Sequence, residues 1–356
     1  MLEVSFLGDI SLNNIYNKFY KENINPFLNV EHILRNSNFN IGNLECMSGG
    51  DKGENILKHP RLKTEQNTLK LLGKLNLQGV SLAHNHTYDN LKDGYEKTIE
   101  SLNSQKINYL GAGLCKEEAE KPLIIDENGV RLGFLNFVNK NTNPKMPNNA
   151  EIFLNYLEIN EVENQILKIK KKVDHVIVLL HWGGRVEEGF YPDKNQPFIA
   201  KKVIEAGADL IIGGHSHTVQ PFEIYKGKYI FYSLGNFCFD DILQDLEIFE
   251  IGRYRKRKTI IPTVIFEKEK YSVNISHVKN KEGFIIMNNS LFRKFILNWR
   301  NTLFFFMKNS EFLWKIYFWH LKKIVPIKMF FMESNEGFLK KIIRLDFRRV
   351  IRYIRK

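Results

Sequence analysis

The sequence predicts an α/β protein with a layered sheet, followed by a basic helical extension. Three observations lead there. Short β-rich runs alternate with polar helical stretches over residues 1–284. Five of those runs end in polar clusters with ligand chemistry, and open α/β sheets bind ligands at the carboxyl ends of strands. Beyond residue 284 the composition changes: the last 72 residues hold 16 of the 45 aromatic side chains, and 16 Lys and Arg against 4 Asp and Glu.

The five strands are expected at residues 2–7, 39–44, 80–83, 176–180 and 210–212, where β-branched, aliphatic and aromatic side chains dominate. They run into Gly8-Asp9, Glu45, His84-Asn85-His86, His181 and Gly214-His215-Ser216-His217. One sheet edge could gather all five clusters. Two hairpins are legible from a glycine between apolar runs: 123–126 with 131–137, and 222–225 with 229–232. A third pair, 260–266 and 271–276, flanks a charged turn. In the extension, Leu291, Phe292, Phe295, Ile296 and Trp299 follow helical spacing. Lys340, Arg344, Arg348 and Arg352 recur every four residues, with apolar positions elsewhere around the helix, so 340–354 reads as a basic amphipathic helix. The domains are therefore drawn as 1–284 and 285–356.

A chain of 356 residues with 43% apolar and 26% charged residues can bury a sizeable core, which excludes wholesale disorder, collagen and a bare coiled coil. Cys46, Cys115 and Cys238 form no C-x-x-C pair, so a disulfide scaffold and a thiolate zinc site are not expected, and a reducing compartment fits. The start has no basic region and only a short apolar run before Asp9, unlike a secretory signal. No stretch reaches the ~18 apolar residues of a membrane span. The expectation is a cytoplasmic protein, with peripheral attachment at the inner membrane face open to the tail. The net charge of +12 resides there, because residues 1–284 hold 36 basic and 36 acidic residues.

Carboxylate, amide oxygen and imidazole are the ligand types for Mn, Fe or Zn with open coordination positions. Asp9, Glu45, Asn85, His86, His181, His215 and His217 supply that set. Each motif also has a structural reading: Gly8-Asp9 as a turn, Asn43-Leu44-Glu45 as a strand end. Gly214-His215-Ser216-His217 is the sharpest signal, because two imidazoles lie close together after a strand. The sequence contains neither a Gly-x-Ser-x-Gly elbow nor a P-loop, which argues against an α/β-hydrolase and a P-loop NTPase. Gly111-Ala112-Gly113 lacks the third glycine of a dinucleotide site and reads as a turn. His32, His59, His175, His277 and His320 lack ligand-like neighbours in sequence and read as ordinary histidines.

The motifs Phe6-Leu-Gly-Asp-Ile-Ser-Leu12, Asn43-Leu-Glu45, His84-Asn-His-Thr-Tyr-Asp89, Glu118-Ala-Glu-Lys-Pro122, His181-Trp-Gly183, Gly213-Gly-His-Ser-His217 and Tyr232-Ser-Leu-Gly-Asn-Phe237 occur in that order. Over residues 2–240 the chain resembles the CapA (poly-γ-glutamate/capsule synthesis protein) family of the calcineurin-like metallophosphoesterase superfamily. The resemblance implies a four-layer α/β/β/α sandwich and a metal-activated water nucleophile. It implies one or two divalent ions, with Glu45 bridging, Asn85, His181 and His215 on one, and Asp9 and His217 on the other. His86 would be the acid beside the leaving group, with Asp89, Glu187 and Asn236 in supporting or substrate-facing positions. Ser11 stands where the wider superfamily has His, and Glu45 where it has Asp. The Asp9/His217 site is thus one imidazole short and is expected to hold metal more weakly.

The function implied is hydrolysis of a phosphoester-type bond in capsule or extracellular polymer biosynthesis, with amide hydrolysis also open. The alternative is a non-catalytic partner in a membrane-associated polymer synthesis and export complex. Expected partners are an anionic polymer or its precursor, with an anionic membrane surface and polymer synthesis enzymes as partners of residues 285–356. Packing of the tail's apolar stripe on the body competes with membrane docking. Nucleic acid is disfavoured because no reading motif accompanies the charge.

Overall fold

Period-two alternation along the strands builds two stacked sheets. The computed structural model describes residues 1–244, 247–249 and 257–324. Leu2–Ile10 (β1), Phe39–Leu44 (β2), Gly79–Ser81 (β3) and Asn108–Leu110 (β4) pair in parallel at the heart of the first sheet. The second sheet contains Leu123–Glu127 (β5), Val130–Val138 (β6), His175–His181 (β7), Leu210–Gly214 (β8), Phe222–Tyr225 (β9) and Lys228–Phe231 (β10), in the order β9-β10-β8-β7-β6-β5. Asn236–Cys238 (β11), Lys258–Phe266 (β12), Tyr271–Lys281 (β13) and Phe284–Met287 (β14) return to the first sheet, whose order is β14-β13-β12-β1-β2-β3-β4. β11 pairs with the end of β1.

Leu2, Val4 and Phe6 of β1 meet Phe134, Ile177, Leu179 and Ile212 of the second sheet in one buried cluster. Phe134 lies between Phe6 and Phe39, with ring centroids 6.5 and 5.6 Å away. Each fully buried side chain of this kind contributes about 2 kcal/mol. The opposite face of the first sheet, with Leu7, Leu44 and Val80, is covered by Ile15–Lys21 (α1), Glu31–Asn36 (α2) and Leu91–Ser104 (α3). Ile159–Lys170 (α4) and Gln196–Glu205 (α5) cover the outer face of the second sheet. The layers are therefore helix, sheet, sheet, helix.

Both glycine-centred hairpins form. Asn128 and Gly129, and Lys226 and Gly227, have positive φ in their two-residue turns, as a primed hairpin turn needs. The third hairpin joins β12 and β13. Expected strand ends shift by a few residues: β1 continues through Asp9 to Ile10, and β3 stops at Ser81. Gly111 has φ +96° as a bend allows, but Ala112–Gly113, expected to belong to a turn, form a short strand antiparallel to Phe153–Leu154, because the chain straightens after Gly111 and pairs its backbone there.

Asp209 fastens the start of β8 to its neighbours. Its carboxylate accepts from Lys170 (2.7 Å), Lys228 (2.6 Å) and the Val176 amide (2.9 Å). Burial alone would raise its pKa, but these bonds outweigh burial and hold it below its ordinary value of 3.8. Asp209→Asn is expected to cost about 2 kcal/mol at neutral pH. A carboxylate with a depressed native pKa contributes stability that is present above 3.8 and lost as pH falls through the native value. Urea unfolding of both proteins at neutral pH and again below the native pKa checks this, with the difference shrinking in acid.

Residues 1–301 form one compact unit and a second begins at Thr302. The first unit takes in β14 and the start of Leu291–Met307 (α6), and so runs beyond residue 284. Leu297 joins the inter-sheet core, the Asn301 side chain accepts from the Phe222 amide (3.0 Å), and Arg300 donates to the Val219 carbonyl (3.2 Å). In the second unit, Glu311–Trp319 (α7) starts at Ser310, whose hydroxyl accepts from the Leu313 amide (3.3 Å). The basic helix expected over 340–354 lies outside the described residues. Among the described residues no helix is long and apolar enough to cross a membrane.

Candidate metal centre

The expected ligands converge, but two sheets deliver them rather than one edge. β1, β2 and β3 are successive neighbours in one sheet, whereas β7 and β8 pair in the other. The centre therefore forms where the carboxyl ends of two stacked sheets face each other.

A β-bulge aims Asp9. Leu7 pairs with Gly42 and Asp9 with Asn43, so Gly8 is an extra residue in β1. Without it, strict alternation would turn Asp9 towards the helices; the bulge returns it to the inter-sheet face that Phe6 occupies. A Cβ on Gly8 would lie 1.9 Å from the Gly235 carbonyl oxygen, so no other residue fits without backbone movement. In β7, His181 shares the inward face of Ile177 and Leu179. After β8, His215 and His217 take positive φ (87° and 58°), a strained conformation for non-glycine residues that is concentrated at functional sites. A Cβ at Gly214 would sit 2.6 Å from Asp9 Oδ1, so the absence of a side chain opens the cradle.

Two triads could each hold an ion: Glu45, His181 and His215, and Asp9, Glu45 and His217. All five side chains are buried, and Glu45 is common to both triads. His181 Nε2 lies 3.0 Å from His215 Nδ1, 2.8 Å from Asn85 Oδ1 and 3.8 Å from Glu45 Oε1. His217 places Nδ1 3.7 Å from Asp9 Oδ2 and Nε2 3.9 Å from Glu45 Oε1. Burial holds the His181 pKa well below its ordinary value, with His215 adding to the effect, so the ring is neutral as a ligand must be. Burial pushes Asp9 up, against the pull of His217, Asn43 and the His215 amide. Two carboxylates and three imidazoles around a cradle that a Cβ would fill fit a divalent transition ion.

Supporting residues surround this set. Asn236 Oδ1 lies 2.8 Å from His217 Nδ1, and Glu187, half exposed, lies 3.9 Å from His217 Nε2. His86 Nδ1 lies 2.5 Å from Asp89 Oδ2, which also accepts from the Leu62 amide (2.7 Å). Burial disfavours the charged form of both partners, lowering His86 and raising Asp89. Ser11 is not directed to a ligand role: its hydroxyl donates to Asn13 (2.9 Å) and its amide to the Cys238 carbonyl (2.7 Å).

Two participants have roles that the sequence reading did not assign, although Asn43 stands in the Asn43-Leu-Glu45 motif. Asn43 donates to Asp9 Oδ1 (2.9 Å) and lies 3.3 Å from His181 Nδ1, tying the two sheets together. Within Asn-Ile-Gly-Asn-Leu it looks like an ordinary strand residue; only its place two residues before Glu45 hinted at a role. Lys58 is buried, donates to the Asn143 carbonyl (3.0 Å), and is held below its ordinary pKa by burial while Asp89, Glu187 and Glu45 oppose that shift. A lysine in a polar loop carries no such signal.

The model of the family described as "Bacterial capsule synthesis protein PGA_cap" matches residues 3–241. The PGA biosynthesis protein CapA of Bacillus subtilis (strain 168) is 32% identical over 253 residues, covering 67% of this chain and 64% of its own. The capsule biosynthesis protein CapA of Bacillus anthracis is 30% identical over 250 residues, covering 67% and 60%. The chain thus spans less than two thirds of the length of these relatives. Among solved structures, a hypothetical protein from Thermus thermophilus has a TM-score of 0.47 at 16% identity, covering 78% of this chain and 99% of that one.

Proposed function

The chain belongs to the bacterial capsule synthesis protein PGA_cap family, and from that premise we propose that it is a metal-dependent hydrolase of capsule-polymer metabolism. Its substrate on this reading is a phosphoester-type bond in an anionic polymer or its precursor. One observation carries the reading: two buried triads share Glu45, beside the His86–Asp89 pair. Divalent Mn, Fe or Zn bound there would supply an activated water and charge stabilisation at the reacting oxygens. Glu45, His181, His215 and Asn85 would hold one ion, and Asp9, Glu45 and His217 the other.

The remaining work falls to the chain itself. Burial favours a neutral His86 and a protonated Asp89, so Asp89 fixes the ring through Nδ1 with the proton on Nε2; as Nε2 gives that proton to the departing oxygen, Nδ1 takes the one on Asp89. Asn236 holds His217, and Asn43 holds both Asp9 and His181, so the ligand geometry exists before substrate arrives. Lys58 lies within electrostatic reach of Asp89, Glu187 and Glu45, which act against the lowering of its pKa by burial.

The test is turnover of a chromogenic phosphodiester by metal-loaded protein. His86→Ala is expected to lower it by about 10²- to 10⁴-fold while bound metal stays unchanged. No turnover by the wild type, or equal turnover in both, would overturn the hydrolase. The second reading, a non-catalytic partner in polymer synthesis, would then stand; the single imidazole of the Asp9/Glu45/His217 triad favours it.

A further inference from the structure

We propose that the exposed aromatic stripe of α6 seats this protein on an anionic lipid surface. An amphipathic helix on a globular body normally turns its apolar stripe inward. Here α6 is fastened by Leu297, Arg300 and Asn301, and Arg300 also lies 4.0 Å over the ring of Phe190. Phe292, Phe295 and Trp299 then face outward, 64%, 63% and 55% exposed, and Leu291 is 86% exposed. Their spacing of three and four residues aligns them on one face. One side of α6 packs on the body, with Leu297 in the inter-sheet core and Ile296 half-buried, while Phe292, Phe295 and Trp299 stay outside.

Charge selects the occupant. Residues 291–324 carry seven Lys and Arg against a single acidic residue, Glu311, whereas residues 1–284 are balanced. Arg293 lies 6.0 Å over the ring of Phe292, so cation and aromatic ring share one edge of the helix. Within the second unit α7 has the same make-up: Phe312, Ile316 and Trp319 are 71%, 48% and 58% exposed, again at helical spacing, and Lys315 lies between them. Aromatic rings seated at headgroup depth and lysines or arginines on lipid phosphates are the two elements of an interfacial helix. No described helix is long and apolar enough to cross, so α6 lies in the membrane plane. The inference does not depend on hydrolase activity.

The test is co-sedimentation of the full chain with vesicles of phosphatidylglycerol and phosphatidylcholine in equal parts, and of phosphatidylcholine alone. Binding is expected to the anionic vesicles only and to weaken in about 1 M salt, where the Debye length is about 3 Å. The Phe292→Ser/Phe295→Ser/Trp299→Ser variant is expected to bind about tenfold or more weakly. Its thermal unfolding should match the wild type, because all three side chains are exposed. Failure of the wild type to bind anionic vesicles, or undiminished binding by the triple variant, would overturn the proposal. Self-association through the stripe in place of vesicle binding would do the same.

Discussion

The Glu45→Gln variant is expected to lose nearly all bound metal, whereas the wild type purified without chelator retains about two ions per chain. Glu45 is the one residue common to both triads, so its loss would weaken both candidate sites at once. The amide keeps the volume and leaves the buried core intact, but it removes the negative charge that offsets two dications. His215→Ala, by contrast, removes a ligand from one triad, and His217→Ala from the other. Titration of the wild type is expected to show two affinity classes, the Glu45/His181/His215 site tighter because it has two imidazoles and Asn85 beside them. Elemental analysis with a thermal melt on each variant reads all of these. Full metal content in Glu45→Gln, or two equally tight sites in the wild type, would contradict the assignment.

The Gly8→Ala variant is expected to lose about 3 kcal/mol or more of stability. The added methyl would lie 1.9 Å from the Gly235 carbonyl oxygen, inside the pairing of β1 with β11, where backbone and not a flexible side chain must move. Relief of that clash displaces the bulge that aims Asp9, so metal content at the second triad should fall together with stability. A cavity-forming change of similar cost far from the bulge, such as Ile166→Ala beneath β7, should lower stability and leave metal content unchanged. Urea unfolding and elemental analysis of both variants separate the two effects. Normal stability in Gly8→Ala would show that the bulge accommodates a side chain.

Much of this was legible in sequence because the signals are local. The hairpins at Asn128-Gly129 and Lys226-Gly227 follow from residues that accept positive φ. β7 and β8 follow from aliphatic runs that end in imidazoles. The short β1 expected at 2–7 missed only that Gly8 is absorbed as a bulge and the strand continues. The roles of Asn43, noted only as part of the Asn43-Leu-Glu45 motif, and of Lys58 were not legible: an amide in a strand and a lysine in a loop have the same local pattern whether they face solvent or a buried carboxylate.

The sequence alone determined the α/β class, the order of the ligand-bearing strands, the residue types available to a divalent ion and the concentration of charge in the last 72 residues. These depend on neighbours within a few positions and on composition. The tertiary structure decided which strands share a sheet, that Asp9 and Glu45 come to His181, His215 and His217 from opposite sheets, and which face of α6 is left to solvent. Those depend on pairing between residues far apart in the chain. Period-two and period-3.6 patterns show that a face exists, and only packing determines what that face meets.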